Sequence, residues 1–256
     1  MKIVFASIDV EPDFGKQGFE GVKNLDKILS IFKKLNISLT IFLTGEILEK
    51  FPEKFKKINR KIEIASHSFT HKFWNTISQR IRKQELEKFI TLYERIFRKY
   101  PIGFRAPSHI IDEQGLKLLE DKGFLYDSSV LPHYPFCKKY RGYKGRAPLL
   151  PYYPSYDNLR RKGDMKILEV PVRGQLFGIP LAGAWIRKLP FFIYKLLFAF
   201  YHPRLIVLNL HSWDVLDNRF LDKLEKTLRL LENKGYYFLT GEEISRKNGE
   251  IFGNKK

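Results

Sequence analysis

Apolar runs of strand length alternate with amphipathic segments of helix length along this chain. That alternation constrains the fold more than any other feature. Strand-like runs occupy 2–8, 38–43, 62–65, 167–172, 205–210 and 236–239, and helix-like segments occupy 24–35, 77–100, 114–122, 189–201 and 219–234. In the last of these, Leu221, Leu224, Leu228 and Leu231 recur at helical spacing and Gly235 supplies a stop. Strands that are apolar throughout, separated by helices, predict a mostly parallel sheet covered on both faces. A length of 256 residues suits one such unit. The prolines of the middle third and a basic, Tyr-rich stretch at 133–165 break the pattern, which predicts an insertion serving as a lid or binding loop. Residues 247–256 are expected as a polar tail after a domain of residues 1–246.

Composition excludes several function classes. Cys137 is the only cysteine, so an internal disulfide framework and multi-cysteine metal sites are ruled out. The chain opens on a strand-like run ending in Asp9 rather than on a secretory h-region, which leads to the expectation of a cytoplasmic protein. Its greasiest stretch, 191–201, would reach about 16 Å as a helix, about half a bilayer core. A membrane-spanning protein is therefore not expected. The net charge of +18 hints at an anionic partner, while the competing reading, that lysine only solvates the surface, stands ahead of it. The positive charge is spread out and no nucleic-acid module is present, so nucleic acid is not an expected partner. Around 185–198, Arg187, Lys188 and Lys195 sit among aromatics, a mixture suited to peripheral membrane contact. The competing reading packs that helix on the sheet.

In parallel α/β folds, chemistry gathers where strands end. The predicted ends carry Asp9-Val10-Glu11-Pro12-Asp13, then Ser66-His67-Ser68-Phe69-Thr70-His71, then Phe104-Arg105-Ala106-Pro107-Ser108, then Tyr126-Asp127-Ser128-Ser129, and finally Leu208-Asn209-Leu210-His211. Histidines four apart, placed on one side of a helical turn, can grip one ion with a neighbouring carboxylate. Two imidazoles and one acid leave positions open for water, as in catalytic zinc sites.

Leu39-Thr40-Ile41-Phe42-Leu43-Thr44-Gly45, Glu63 through His71, Phe104 through Pro107, Tyr126 through Ser129 and Leu208 through His211, in this order and spacing, resemble the motifs of the polysaccharide deacetylase family, the NodB-homology domain, and the resemblance runs from about Met1 to Thr240. It implies an irregular (β/α) barrel of about seven parallel strands in a single domain. The implied activity is metal-assisted removal of an N-acetyl group from an amino sugar. Carried over, His67 and His71 are metal ligands and Asp9 is the general base. Arg105 orients Asp9, His211 is the general acid, and Asp127 stabilises its imidazolium. The implied cofactor is a divalent ion, zinc by preference, with Co, Mn, Ni or Fe as alternatives.

Two departures from the family pattern stand out. Val10 takes the place of the usual carboxylate ligand, which shifts the role to Glu11, on the same strand face as Asp9, with Asp13 as rival. Ser108 stands where a tyrosine is common. Pro107, Ser108, Trp74 and Trp213 are candidate substrate-binding residues, whereas Trp185 reads as core. The expected substrate is an N-acylated sugar, free or linked to phosphate or lipid. A cyclic-amide hydrolase on the same fold is the alternative.

Overall fold

The computed structural model describes residues 1–13, 18–58, 61–133, 142–172, 175–176 and 179–253. Cys137 and residues 134–141 of the expected insertion lie outside them. The strands are β1 Lys2–Val10, β2 Leu39–Leu43, β3 Ile62–Ser66, β4 Gly103–Phe104, β5 Tyr126–Asp127, β6 Leu168–Glu169, β7 Gln175–Leu176, β8 Ile179–Pro180, β9 Leu205–His211 and β10 Tyr236–Phe238. One sheet runs in the order β10-β1-β2-β3-β4-β5-β6, with β9 also paired to β1, while β7 and β8 make a separate two-stranded pair. The ladders of β1 with β9 and β10, and of β3 through β6, are parallel, as apolar strands joined by helices require. The principal helices are α1 Leu25–Leu35, α2 Gln79–Phe97, α3 Glu113–Asp121, α4 Gly183–Lys188, α5 Phe191–Phe200, α6 Phe220–Asn233 and α7 Asn248–Phe252.

Contacts gather into two compact units. The first, residues 1–41, 59–63 and 173–240, is built around β1, whose residues from Ile3 to Val10 are all buried. Helix α6 buries Leu224, Leu228 and Leu231, the heptad-like spacing of the sequence. In the second unit, residues 42–58, 64–172 and 241–256, Trp74, Leu86, Phe104, Leu116, Leu119, Phe124, Met165 and Ile167 share one apolar cluster.

Strands β4 and β5 have two residues each and no apolar run long enough to reveal them in the sequence. The expected insertion is not a lid over its described carboxyl-terminal part. Leu159 and Met165 enter the apolar cluster, and Tyr152 is buried with its backbone exchanging hydrogen bonds with Glu169. The expected polar tail also contains structure, because α7 buries Ile251 and Phe252, whose apolar side chains give the segment something to pack.

Candidate active site

In the first unit, parallel pairing of β1 and β9 sets Asp9 directly opposite His211 at the carboxyl ends of both strands. Asp9 Oδ2 and His211 Nε2 are 3.9 Å apart, beyond hydrogen-bond range but close enough for strong electrostatic coupling. Asp9 is buried, while the His211 side chain keeps 31% exposure, so one member of the pair faces solvent. The Trp213 indole lies stacked on the His211 ring, with centroids 4.5 Å apart. Glu11 is buried just beyond the strand, and its carbonyl accepts the Ser212 hydroxyl at 3.2 Å. Asp13, the rival ligand, has both oxygens occupied: they accept the backbone N–H groups of Glu20 at 2.7 Å and Gly21 at 3.0 Å.

The sequence reading missed Asp214. Its carboxylate accepts the backbone N–H of His211 at 2.8 Å, and Arg187 Nε of α4 lies 3.2 Å from its other oxygen. Burial pushes the Asp214 carboxyl above its ordinary value, with His211 and Arg187 pulling the other way. Gly183 makes the approach of α4 feasible, since a Cβ there would fall 1.6 Å from Asp214 Oδ2. An acid three residues after a strand-end histidine was the available signal.

In the second unit, His67 follows β3 and its Nδ1 is 2.8 Å from the Arg105 carbonyl. That bond places the proton on Nδ1 and the lone pair on Nε2. His67 and His71 are not on a helical turn, contrary to the spacing argument. Ser68 and His71 adopt left-handed backbone (φ 65° and 55°), and this tight turn brings the two rings to 5.0 Å between centroids. Glu85 of α2 fastens the turn by accepting the N–H and hydroxyl of Thr70 at 2.7 and 2.8 Å.

Arg105 is fully buried, with Nε on the Ser128 carbonyl, Nη2 on the Ser128 hydroxyl and its guanidinium 4.0 Å from the centroid of the Phe42 ring. Asp127 accepts the N–H and hydroxyl of Ser129 at 3.0 and 2.7 Å, and it faces the carboxyl of Glu169. Burial raises both acids, Glu169 further because Asp127 repels its charge. Asp127 thus has local partners of its own, while Asp9 and Asp214 lie beside His211 within the first unit.

Trp74 belongs to the core, not to a sugar platform. It is 1% exposed, packs on Phe104 at 4.7 Å between ring centroids and donates to the Ser68 hydroxyl. Pro107 is buried, whereas Ser108 is half-buried in a left-handed conformation. Trp185 is half-buried in α4.

Among the described residues, Glu11, His67 and His71 form a group whose ligand atoms all lie within 4.8 Å of one another. Two imidazoles and one carboxylate suit a divalent ion of the zinc type, and the hydrogen bond on His67 Nδ1 is the outer support such ligands carry. Acids and histidines at the carboxyl ends of parallel strands define the class as an α/β enzyme.

Comparison with known proteins agrees with this reading. Residues 2–126 match the family model of the polysaccharide deacetylases, and over that segment the chain is similar to this family. A peptidoglycan deacetylase-like protein of Gibberella zeae is 36% identical over 47% of this chain and 37% of its own length. The peptidoglycan deacetylase of Helicobacter pylori is 30% identical over 52% of this chain and 45% of its own. The matches thus span less than half of either relative. A solved Mycobacterium smegmatis protein assigned to the polysaccharide deacetylases superposes with a TM-score of 0.69 at 19% identity, over 95% of this chain and 88% of that one. An allantoinase reaches 0.71 at 16% identity, over 99% and 92%. These likenesses show the fold, the irregular (β/α) barrel expected above.

Proposed function

We propose that the chain is a metal-dependent hydrolase that removes the N-acetyl group of an amino sugar within a glycan or glycan precursor. The observation that carries this reading is the Glu11, His67 and His71 group, whose two histidines lie in a run that resembles the family's metal motif. When bound there, a divalent ion would polarise the amide carbonyl and make water nucleophilic at neutral pH.

The chain's own residues account for the proton transfers. Asp9 takes the proton of the attacking water, its buried carboxylate being aimed from the end of β1. His211 gives a proton to the departing amine, and its partial exposure leaves room for that group. Asp214 fixes the strand-to-turn backbone on which His211 rides, and Arg187 braces Asp214. Trp213 offers an aromatic face beside His211 for a sugar ring. Arg105, through its carbonyl, orients His67, while Asp127 and Ser129 hold the backbone that follows Arg105. A substrate linked to phosphate or lipid phosphate suits the +18 charge.

Acetate release from N-acetylglucosamine oligosaccharides, with a panel of cyclic amides and ureides in parallel, tests the proposal. The expected result is metal-dependent release from the sugars, abolished by chelation and restored by zinc. Turnover of the cyclic amides alone would overturn it in favour of the second reaction class that the allantoinase-like fold accommodates.

A further inference from the structure

Helix α5 carries large apolar residues on its exposed side as well as its buried one, which an ordinary surface helix does not. It buries Tyr194 and Phe198, four residues apart, and Phe198 meets the Tyr236 ring of β10 edge-on. The opposite side carries Phe192, Leu196 and Phe200, exposed by 62%, 55% and 76%. At 3.6 residues per turn, Phe192 points about 200° away from Tyr194, so these three side chains form a stripe on the outer face. Among the described residues, Phe192 and Phe200 are the only exposed phenylalanines. A row of large apolar side chains left in water marks a surface that something covers.

The charges around the stripe identify the cover. From Val170 to Trp213 the sequence contains no Asp or Glu, yet it holds Arg173, Arg187, Lys188, Lys195 and Arg204. Lys195 lies on the exposed side of α5, and Lys188 is exposed just before it. Two of the three acids on α6, the helix packed against α5, are already paired: Asp222 with Lys226, and Glu225 with Lys34 and Arg229. A second copy of the chain would bring another +18 charge to the same face and be repelled. No helix among the described residues is long and apolar enough to cross a membrane. An apolar stripe flanked by cations, on a helix too short to span, fits the interface of an anionic bilayer.

We propose that the α4–α5 face docks the protein on anionic lipid membranes. Phe192, Leu196 and Phe200 enter the headgroup–acyl boundary while Lys188 and Lys195 sit among the headgroups. Only Leu189 and Pro190 separate the docking helix from α4, whose Arg187 braces Asp214 at the candidate site. Docking therefore brings a lipid-linked amino sugar to the site from the bilayer side. That last consequence rests on the deacetylase reading; the docking itself does not.

The test is co-sedimentation with vesicles of equimolar phosphatidylcholine and phosphatidylglycerol, with pure phosphatidylcholine vesicles alongside. The expected result is binding to the anionic vesicles that weakens with salt. A Phe192→Ser/Leu196→Ser/Phe200→Ser variant should lose about tenfold or more in partitioning. A Lys188→Glu/Lys195→Glu variant should lose a similar factor, about tenfold. Both variants replace exposed side chains, and circular dichroism should give unchanged spectra and melting. Their acetate release from soluble oligosaccharides should match the parent protein. No binding by the parent at low salt overturns the proposal, as does undiminished binding by the serine variant. A parent dimer in sedimentation that the serine variant abolishes also overturns it, by showing a second copy as the cover. Vesicle binding by a parent protein that deacetylates no sugar leaves the docking standing and removes the deacetylase reading.

Discussion

The carboxyl ends of β1 and β9 and those of β4, β5 and β6 look alike in sequence, since each carries charged groups at or just past the strand end. Their surroundings differ. At the first, His211 keeps 31% exposure and faces Asp9 across 3.9 Å without being locked to it. At the second, Arg105, Asp127 and Glu169 are all 0% exposed and tied to neighbouring backbone or hydroxyls. Proton transfer to a substrate needs a titratable group that the substrate can reach. A buried and satisfied polar network instead rigidifies its surroundings. The first region is therefore placed to do chemistry and the second to hold geometry.

The largest effects should come from the metal ligands. His67→Ala and Glu11→Ala are expected to abolish activity and bound zinc, whereas Asp13→Ala, whose carboxylate holds only the Glu20 and Gly21 N–H groups, should retain the metal. Metal analysis of purified variants decides it, and equal zinc in Glu11→Ala and the parent would break the ligand assignment. Next, Asp9→Asn and His211→Ala should keep zinc and lose about 10²–10⁴-fold in kcat, the usual contribution of general acid–base groups. Near-parental turnover in either would collapse the contrast between the two regions.

The tryptophans sharpen the same contrast through different readouts. Trp74→Ala should cost about 3–5 kcal/mol of stability, as core aromatic truncations do, measured by urea unfolding. Trp213→Ala, beside His211, should leave stability nearly unchanged and raise KM. The smallest effect concerns pH. Because burial raises the Asp127 and Glu169 carboxyls, the folded chain holds their protons more tightly than the unfolded chain does. Their contribution to stability is complete at low pH and declines as pH rises from about 4.5 through their raised values. Glu169→Gln keeps the shape and removes a proton site, so its unfolding free energy should fall less over that range. An unchanged pH slope would show that the pair holds no proton.

Much of this was legible in the sequence because it depends on local pattern. Buried strands read as apolar runs, and the long helices α1, α2 and α6 emerge from their periodicity. Strands β4 and β5 were invisible because two residues carry no period, and their pairing is decided by neighbours distant in sequence. The spacing of His67 and His71 suggested a shared ligand, but for the wrong local reason. A helix would have aligned them, whereas here left-handed turn residues and Glu85, supplied by α2, do so. Asp214 was passed over because its importance lies in accepting the His211 N–H and meeting Arg187 from another helix.

Residue type and order alone determined the parallel α/β class, the strand-end acids and histidines, and the resemblance to a deacetylase family. Each follows from short-range periodicity or from side-chain chemistry that exists before folding. Tertiary structure alone decided that Asp13 serves backbone N–H groups, that Trp74 is core while Trp213 lies against His211, and that Asp127 is buried against the carboxyl of Glu169. Burial and hydrogen-bond partnership are properties of what packs around a side chain. Residues far along the chain supply that packing, and no local pattern encodes them.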